Sequence, residues 1–313
     1  MPRFKNLKSN NCHVFILITL SSVLNLSCSS KGIDTLYKGE IYSHLADRIK
    51  DSTVLIKRND KYSSGIIIDS ENNSKTNIST YTVLTARHSV ENKPSRISIP
   101  KSTPNLEKIC PKKYQQETRR GSEVECSFGF YSIFTNDKEE HYVNYSDIDK
   151  KYSKKWDIAI IKFESRNVYE NVLISDNVDF EATFPVYVSG YRGCGKPEKH
   201  MSDNYELTSG IVKDNSRKDY NLFYSNPTIN GMSGGGVFDK NGALIAIHQK
   251  AEQEKQYDED KCLPLSKQSG NLGDNWGTIV SDFLQEEKVS EDYSYTKCDG
   301  QFIGFLKNSQ CSD

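Results

Sequence analysis

The chain has 313 residues, enough for one large domain or two of medium size. Its 41 Lys and Arg nearly balance its 42 Asp and Glu, so no overall field directs it to nucleic acid or to an anionic membrane surface. Tyr (18) and Phe (13) far outnumber Met (3). Because aromatic side chains suit half-buried strands, this composition favours β structure.

Residues 1–30 have the pattern of a secretory signal sequence. Three basic residues precede a short apolar run at 14–20, and small residues follow it. The run is shorter than a membrane-spanning helix requires. Cleavage after Ser30 fits the preference for small residues at such sites. We therefore expect a protein that is secreted or periplasmic.

A second interpretation concerns Cys28. The sequence Leu-Asn-Leu-Ser-Cys at 24–28 resembles a bacterial lipoprotein box, although Asn25 stands where that motif usually has Leu. The sequence leaves ordinary cleavage and lipidation both open. We expect contact with a membrane only through a lipid on Cys28, no nucleic-acid partner, and a monomer.

The remaining cysteines indicate an oxidising compartment. Six follow the signal sequence, an even number: Cys110, Cys126, Cys194, Cys262, Cys298 and Cys311. None forms a Cys-x-x-Cys pair, so we predict no zinc site. Sequence cannot choose among the possible disulfides, and pairing of neighbours (110 with 126, 194 with 262, 298 with 311) is the simplest hypothesis.

The order of elements predicts an all-β fold. A short amphipathic helix is predicted at 39–51, and ten short strands separated by polar turns follow between 53 and 248. Such strands with almost no helical pattern between them are typical of a barrel or sandwich. A second helix is predicted at 279–286. The charged, Tyr-rich segment 100–155 is expected to form insertion loops held by a cysteine pair.

Ser233 is the candidate nucleophile. It lies in Gly-Met-Ser-Gly-Gly-Gly at 231–236, where glycines permit a sharp turn whose amides converge on a developing oxyanion. The candidate donors are the backbone amides of Gly231 and Ser233. A serine hydroxyl is a weak nucleophile and needs a base and a group that orients that base. By itself the motif is also common in tight turns.

His88 and Asp157 supply the missing groups. His88 follows an apolar strand pattern, and Asp157 directly precedes another. Each residue also has a non-catalytic interpretation: His88 as a capping residue and Asp157 as a solvated residue at the end of a strand. Together with Ser233 they occur in the order His, Asp, Ser, which is the order of chymotrypsin-type enzymes and differs from that of subtilisin and α/β-hydrolases. The sequence therefore predicts a catalytic triad of His88, Asp157 and Ser233.

At these residues the chain resembles the trypsin-like serine protease family. The segments Thr-Ala-Arg-His at 85–88, Asp-Ile-Ala-Ile at 157–160 and Met-Ser-Gly-Gly at 232–235 match its motifs, within a similarity that covers 50–285. The run Asn-Pro-Thr-Ile-Asn-Gly-Met-Ser-Gly-Gly at 226–235 is closest to bacterial, cyanobacterial-type exported peptidases. The resemblance implies an all-β fold of two six-stranded antiparallel β-barrels of chymotrypsin type with a short C-terminal helix.

The resemblance also implies an organisation and an activity. A protease domain at 31–288, with its first barrel at about 50–170 and its second at 171–288, is expected between the signal sequence and a cysteine-containing tail at 289–313. The expected activity is that of a serine endopeptidase on protein or peptide substrates, through an acyl-enzyme, without cofactor or metal. The alternative is an inactive binding protein with a protease fold, but the chain retains all three triad residues.

The specificity pocket is predicted from offsets to Ser233. An Asp six residues before the nucleophile selects Lys or Arg in this family, and here that residue is Pro227. Thr228, five before, and His248, fifteen after, match residues of bacterial glutamyl endopeptidases. A hydroxyl and an imidazole can donate hydrogen bonds to a carboxylate, and protonation of the imidazole adds charge assistance, so we predict a preference for Glu or Asp. The alternative is that both residues only pack.

One motif is discounted. The spacing Gly-x4-Gly-Lys at 190–196 resembles a phosphate-binding loop. However, Pro197 follows where a Ser or Thr would bind magnesium, and no helix pattern follows to offer its N-terminus. We predict no nucleotide site there.

Overall fold

The computed structural model describes residues 40–91, 97–104, 106–110, 112, 115–119, 121–126, 130–150, 155–175, 183–214, 222–251, 262, 274–287 and 297–298. Contacts divide the chain into Met1–Glu40 and Ile41–Asp313, and all described residues except Glu40 lie in the second unit. The predicted signal sequence and Cys28 lie outside the described residues. No helix in the described part is long and apolar enough to cross a membrane.

Strands dominate the described residues. In chain order they are β1 Thr53–Arg58, β2 Lys61–Asn73, β3 Ile78–Ala86, β4 Ile97–Pro100, β5 Gln115–Glu117, β6 Glu123–Cys126, β7 Phe130–Phe134, β8 Glu140–Asn144, β9 Ile158–Ser165, β10 Ile174–Ser175, β11 Pro185–Tyr191, β12 Tyr205–Asp214, β13 Leu222–Tyr224, β14 Gly236–Phe238, β15 Leu244–Ala251, β16 Asn275–Ile279 and β17 Lys297–Cys298. The helices are α1 Glu40–Ser52, α2 Arg87–Val90, α3 Leu106–Ile109, α4 Met201–Asn204 and α5 Val280–Glu286.

The first sheet has six antiparallel strands in the order β8-β7-β1-β2-β3-β9. Its two outer strands approach each other, because Asp149, just after β8, exchanges both backbone hydrogen bonds with Ile160 of β9 at 2.9 and 3.0 Å. Apolar side chains from its strands fill the interior, among them Val54, Ile67, Val83, Ile133 and Ile161. The sheet is therefore barrel-like.

The second sheet closes on itself. Antiparallel pairings run β14-β11-β12-β13-β16-β15, and β15 pairs again with β14. Closure leaves no free strand edge within these six strands. The short strands β10 and β17 extend the sheet beside β15 in parallel. The predicted pair of six-stranded antiparallel barrels of chymotrypsin type is thus confirmed.

The two predicted helices are confirmed with shifts of one residue. Leu45 and Ile49 of α1, and Phe283 of α5, belong to one buried cluster. That cluster also contains residues of both barrels, for example Ile158 of the first and Phe238 of the second. The helices therefore pack against the core that joins the barrels, which fixes how the two halves of the site face each other.

The prediction for 100–155 was wrong in part. β7 and β8 lie in this segment and complete the first barrel, and β5 and β6 form a three-stranded sheet with β4. All five residues of β7 are buried, so it lacks the alternation that marks a half-buried strand. Disulfides join Cys110 to Cys126 and Cys194 to Cys262, as expected. Cys311 lies outside the described residues.

Candidate active site

Strand register brings His88 beside Asp157. β3 and β9 are antiparallel neighbours, and Ala86 at the end of β3 pairs with Ile158 at the start of β9. His88 lies two residues beyond Ala86 in α2, and Asp157 immediately precedes Ile158. Two side chains 69 positions apart in sequence are therefore delivered to the same end of the sheet.

Asp157 holds both the ring and the backbone of His88. Its Oδ2 lies 2.7 Å from Nδ1 of His88, and its Oδ1 accepts the His88 N–H at 2.9 Å. Its own carbonyl accepts the Arg87 N–H at 2.8 Å. Asp157 adopts φ 49°, a left-handed conformation that Asp tolerates better than most residues.

This hydrogen bond selects a tautomer. A carboxylate oxygen can only accept, so Nδ1 of His88 carries the proton and Nε2 of the neutral ring keeps a free lone pair. The His88 side chain is 46% exposed and that of Asp157 19%. The ring therefore faces solvent while the carboxylate behind it is largely covered, which is the arrangement required of an oriented general base.

Ser233 lies in a tight turn before β14. The Met232 N–H donates to Ile229 O at 3.0 Å, and the Gly234 N–H donates to His248 O at 2.7 Å. The first bond closes the turn, and the second ties it to β15 of the same barrel. The N–H groups of Gly231 and Ser233 donate to no residue that the structure describes.

The turn is pressed against the first barrel at Gly234, which has φ +86°. A Cβ on Gly234 would lie 2.2 Å from Ser64 O and 2.8 Å from the backbone nitrogen of Ala86. No side chain fits there without moving backbone, and φ is one that only glycine adopts easily. Since Ala86 is two residues before His88, the serine turn is seated beside the histidine.

Ser64 of β2 is a residue that the sequence did not single out. Its N–H donates to Ser233 O at 2.8 Å. Its hydroxyl donates to Gly231 O at 2.8 Å and accepts the Tyr191 N–H at 2.8 Å. One buried serine thus binds the nucleophile turn on both sides of Met232. Small residues inside a strand carry no recognisable signal, so sequence patterns could not have found it.

The hydroxyl of Ser233 donates to the backbone oxygen of Gln249 at 3.2 Å. Among the described residues it makes no hydrogen bond with His88. Rotation about the Cα–Cβ bond redirects a serine hydroxyl without backbone movement, and catalytic hydrogen bonds often form fully only with substrate present. The structure therefore joins His88 to Asp157 directly and brings the Ser233 turn next to them.

Thr228 is buried and its hydroxyl proton is already used. It donates to Oδ1 of Asn275, whose Nδ2 donates to Asn226 O at 2.5 Å. Because the second bond fixes the amide orientation, the Thr228 hydroxyl is the donor in the first. Its oxygen retains only acceptor capacity towards a ligand.

His248 is buried and uncharged. Its Nδ1 lies 2.6 Å from the hydroxyl of Tyr224, and burial, together with the neighbouring His88, lowers the pKa of His248 to about 3. The low pKa favours the neutral imidazole at neutral pH, so the ring would lack the charge assistance that protonation adds. In the part of the chain that is described, no cluster of His, Cys, Asp or Glu could hold a metal ion.

Two six-stranded antiparallel barrels, with an Asp-oriented histidine on one and a glycine-flanked serine on the other, define a fold of the chymotrypsin class. The chain belongs to the trypsin-like peptidase family: the model of the trypsin-like peptidase domain matches residues 63–247. No curated protein matches it.

A solved structure of an HtrA-type protease, AlgW with a tripeptide, is similar at 14% identity and a TM-score of 0.49. The match covers 79% of this chain and 62% of that one, so this chain spans less than two thirds of the length of AlgW.

Proposed function

We propose that this protein is a serine endopeptidase with His88, Asp157 and Ser233 as its catalytic triad. The observation that carries the proposal is the contact of 2.7 Å between His88 Nδ1 and Asp157 Oδ2, with Ser233 on a turn seated against the same end of the first barrel. Membership of the trypsin-like peptidase family supports the reaction class.

In the proposed mechanism, Nε2 of His88 accepts the Ser233 proton as Oγ attacks the peptide carbonyl. Asp157 keeps the ring in the required tautomer and stabilises the imidazolium. The N–H groups of Gly231 and Ser233 stabilise the oxyanion. His88 then protonates the leaving amine, and water hydrolyses the acyl-enzyme by the reverse sequence of proton transfers.

A fluorophosphonate probe, which reacts with activated serines, tests this proposal against that of an inactive binding protein. We expect stoichiometric labelling of the wild type that is absent in Ser233→Ala and lowered at least about a thousandfold in rate in His88→Ala. A folded wild type that is neither labelled nor active on peptides would favour the binding protein.

The preference for Glu or Asp stays a proposal. Pro227 offers no acid to hold a basic side chain, and Nε2 of His248 has no hydrogen-bond partner among the described residues. A neutral His248 would contribute one N–H without charge when the Tyr224 hydroxyl donates to Nδ1. Paired peptides that differ only by Glu, Gln or Lys before the cleaved bond provide the test. A higher kcat/KM for Gln or Lys than for Glu contradicts it.

We also propose that the protein is exported by its signal sequence as an oxidised monomer, and that Cys28 is its lipid attachment site if it has one. The two disulfides support an oxidising compartment. Thiol titration of unreduced, denatured protein from cells should find few free thiols, and a Cys28-dependent incorporation of labelled fatty acid would identify the anchor. Six free thiols would contradict export.

A further inference from the structure

The hydrogen bond from the Gly193 N–H to Asn230 O, at 2.8 Å, acts on the peptide that carries the Gly231 N–H. All described peptide bonds are trans, so the carbonyl and N–H of the Asn230–Gly231 peptide point in opposite directions. Holding Asn230 O towards Gly193 therefore holds the Gly231 N–H away from it. The same peptide could otherwise rotate, because Gly231, at φ +98°, has the conformational freedom of glycine.

The contact is close on both chains. A Cβ on Gly231 would lie 2.3 Å from the nitrogen of Gly193 and 2.6 Å from Tyr191 O. On the following peptide, Gly231 O accepts the Ser64 hydroxyl. The direction of the Gly231 N–H thus depends on Gly193 on one side and on Ser64 on the other.

Arg192 anchors Gly193 from its N-terminal side. It is 2% exposed, and its backbone N–H donates to Asn204 O at 2.8 Å. The guanidinium reaches three further groups, namely Cys262 O at 2.5 Å, Asp203 O and, through an ion pair of 3.0 Å, Glu206 Oε1. A buried guanidinium with this many partners is costly to displace.

A disulfide anchors Gly193 from the other side. Cys194 is bonded to Cys262 across a sequence separation of 68. Cys262 is also the residue whose carbonyl accepts from Arg192. Gly193 is therefore held between two attachments to one residue, Cys262.

We propose that Arg192 and the Cys194–Cys262 disulfide are positioning groups for catalysis, which hold the Gly193 N–H against Asn230 O and so keep the Gly231 N–H directed at the oxyanion. This rests on the proposed serine endopeptidase function. It also gives a role to the glycine-rich segment 190–196: Gly190 and Gly193 permit close approach to Met232 and Asn230 of the nucleophile turn rather than to a phosphate.

The test compares two disulfides. Cys194→Ser with Cys262→Ser removes the bridge beside Gly193, and Cys110→Ser with Cys126→Ser removes the Cys110–Cys126 bridge as a control. Activity is measured per titrated active site, together with the inhibition constant of a peptide boronic acid, whose tetrahedral adduct uses the oxyanion donors. Loss of one such donor lowers kcat by about 10² to 10³, so we expect a fall of at least about tenfold, with KM changed less than about twofold.

The boronic acid should bind more weakly by a similar factor in the Cys194/Cys262 variant and unchanged in the control. A role in stability alone would reduce the number of active sites but not the inhibition constant per site. Unchanged kcat and inhibition constant, with the wild type active, would overturn the inference. If the variant does not fold, Arg192→Lys, which keeps the charge but loses the planar fork, is expected to show the same pattern. A wild type inert to substrate and fluorophosphonate would instead refute the proposed function.

Discussion

The two halves of the candidate site are built differently. His88 and Asp157 lie on neighbouring strands of one barrel, and the register of β3 with β9 is enough to bring them together. The Ser233 turn is shaped from outside its own strands, by Ser64 of the other barrel and by the Gly193 segment. The first half should tolerate changes around it, whereas the second should respond to substitutions that leave every triad residue intact.

The largest expected effect comes from a substitution in the His88–Asp157 half of the site. Asp157→Asn still offers an oxygen to the His88 N–H but presents an amide to Nδ1, which favours the wrong imidazole tautomer. We expect kcat to fall by about 10⁴, with little change in the denaturant midpoint of unfolding. Near-normal kcat would transfer the role of third triad member to Asp147 or Asp149.

The second prediction tests how closely the two barrels fit, by comparing substitutions at two glycines that have a positive φ. Gly234→Ala and Gly121→Ala both strain the backbone, but a Cβ on Gly234 meets Ser64 O at 2.2 Å whereas one on Gly121 meets no atom of the described residues within 4 Å. We expect about 1 kcal/mol of destabilisation for Gly121→Ala and about 3 kcal/mol or more for Gly234→Ala, with loss of activity only in the latter. Equal losses in urea unfolding would contradict the close fit.

Ser64→Ala tests whether Ser64 of the first barrel positions the Ser233 turn of the second. It leaves the Tyr191 N–H and Gly231 O without their buried partner, which should cost about 2 kcal/mol and lower kcat about tenfold. Ser63→Ala is the control, because the Ser63 hydroxyl has no hydrogen bond among the described residues, and it should change stability by less than about 0.5 kcal/mol. Similar kcat values for the two variants would remove Ser64 from the positioning of the turn.

The smallest effect concerns the charge of His248. Its pKa in the folded protein, about 3, lies below the value near 6.5 of an unfolded histidine. Protonation therefore favours the unfolded state, and the stability that this contributes is present above pH 6.5 and lost as pH falls towards 3. Between pH 6 and 5, the free energy of unfolding of His248→Gln, measured with urea, should fall by about 1 kcal/mol less than that of the wild type. Equal losses would mean that His248 is protonated in the folded protein.

Other groups with a lowered pKa also reduce stability as pH falls, and they are present both in the wild type and in His248→Gln. Hydrogen bonds from Thr135 and its neighbours hold the pKa of Asp137 low despite burial, and the hydrogen bond from Lys57 does the same for Glu198. Their contributions cancel in the difference between wild type and His248→Gln.

The sequence by itself determined the parts of this protein that follow from local pattern. Short strand patterns predicted an all-β barrel or sandwich, and the resemblance to trypsin-like proteases implied the two barrels. His88 and Asp157 were recognisable because each stands where a strand begins or ends. The order of His88, Asp157 and Ser233 then indicated their chemistry. The sequence left the disulfide pairing open, and the structure bears out two of the three neighbouring pairs of the simplest hypothesis.

The tertiary structure decided what depends on partners distant in sequence. β7 could not be predicted because burial of all its residues removes the alternating pattern. Gly193 acts through its backbone N–H, and Ser64 acts through both its hydroxyl and its N–H. Their partners are backbone groups distant in sequence, so no local pattern marks either residue. The charge of His248 is set by burial and, after it, by the neighbouring His88, since removal from water disfavours the charged imidazole more strongly than any local sequence feature can show.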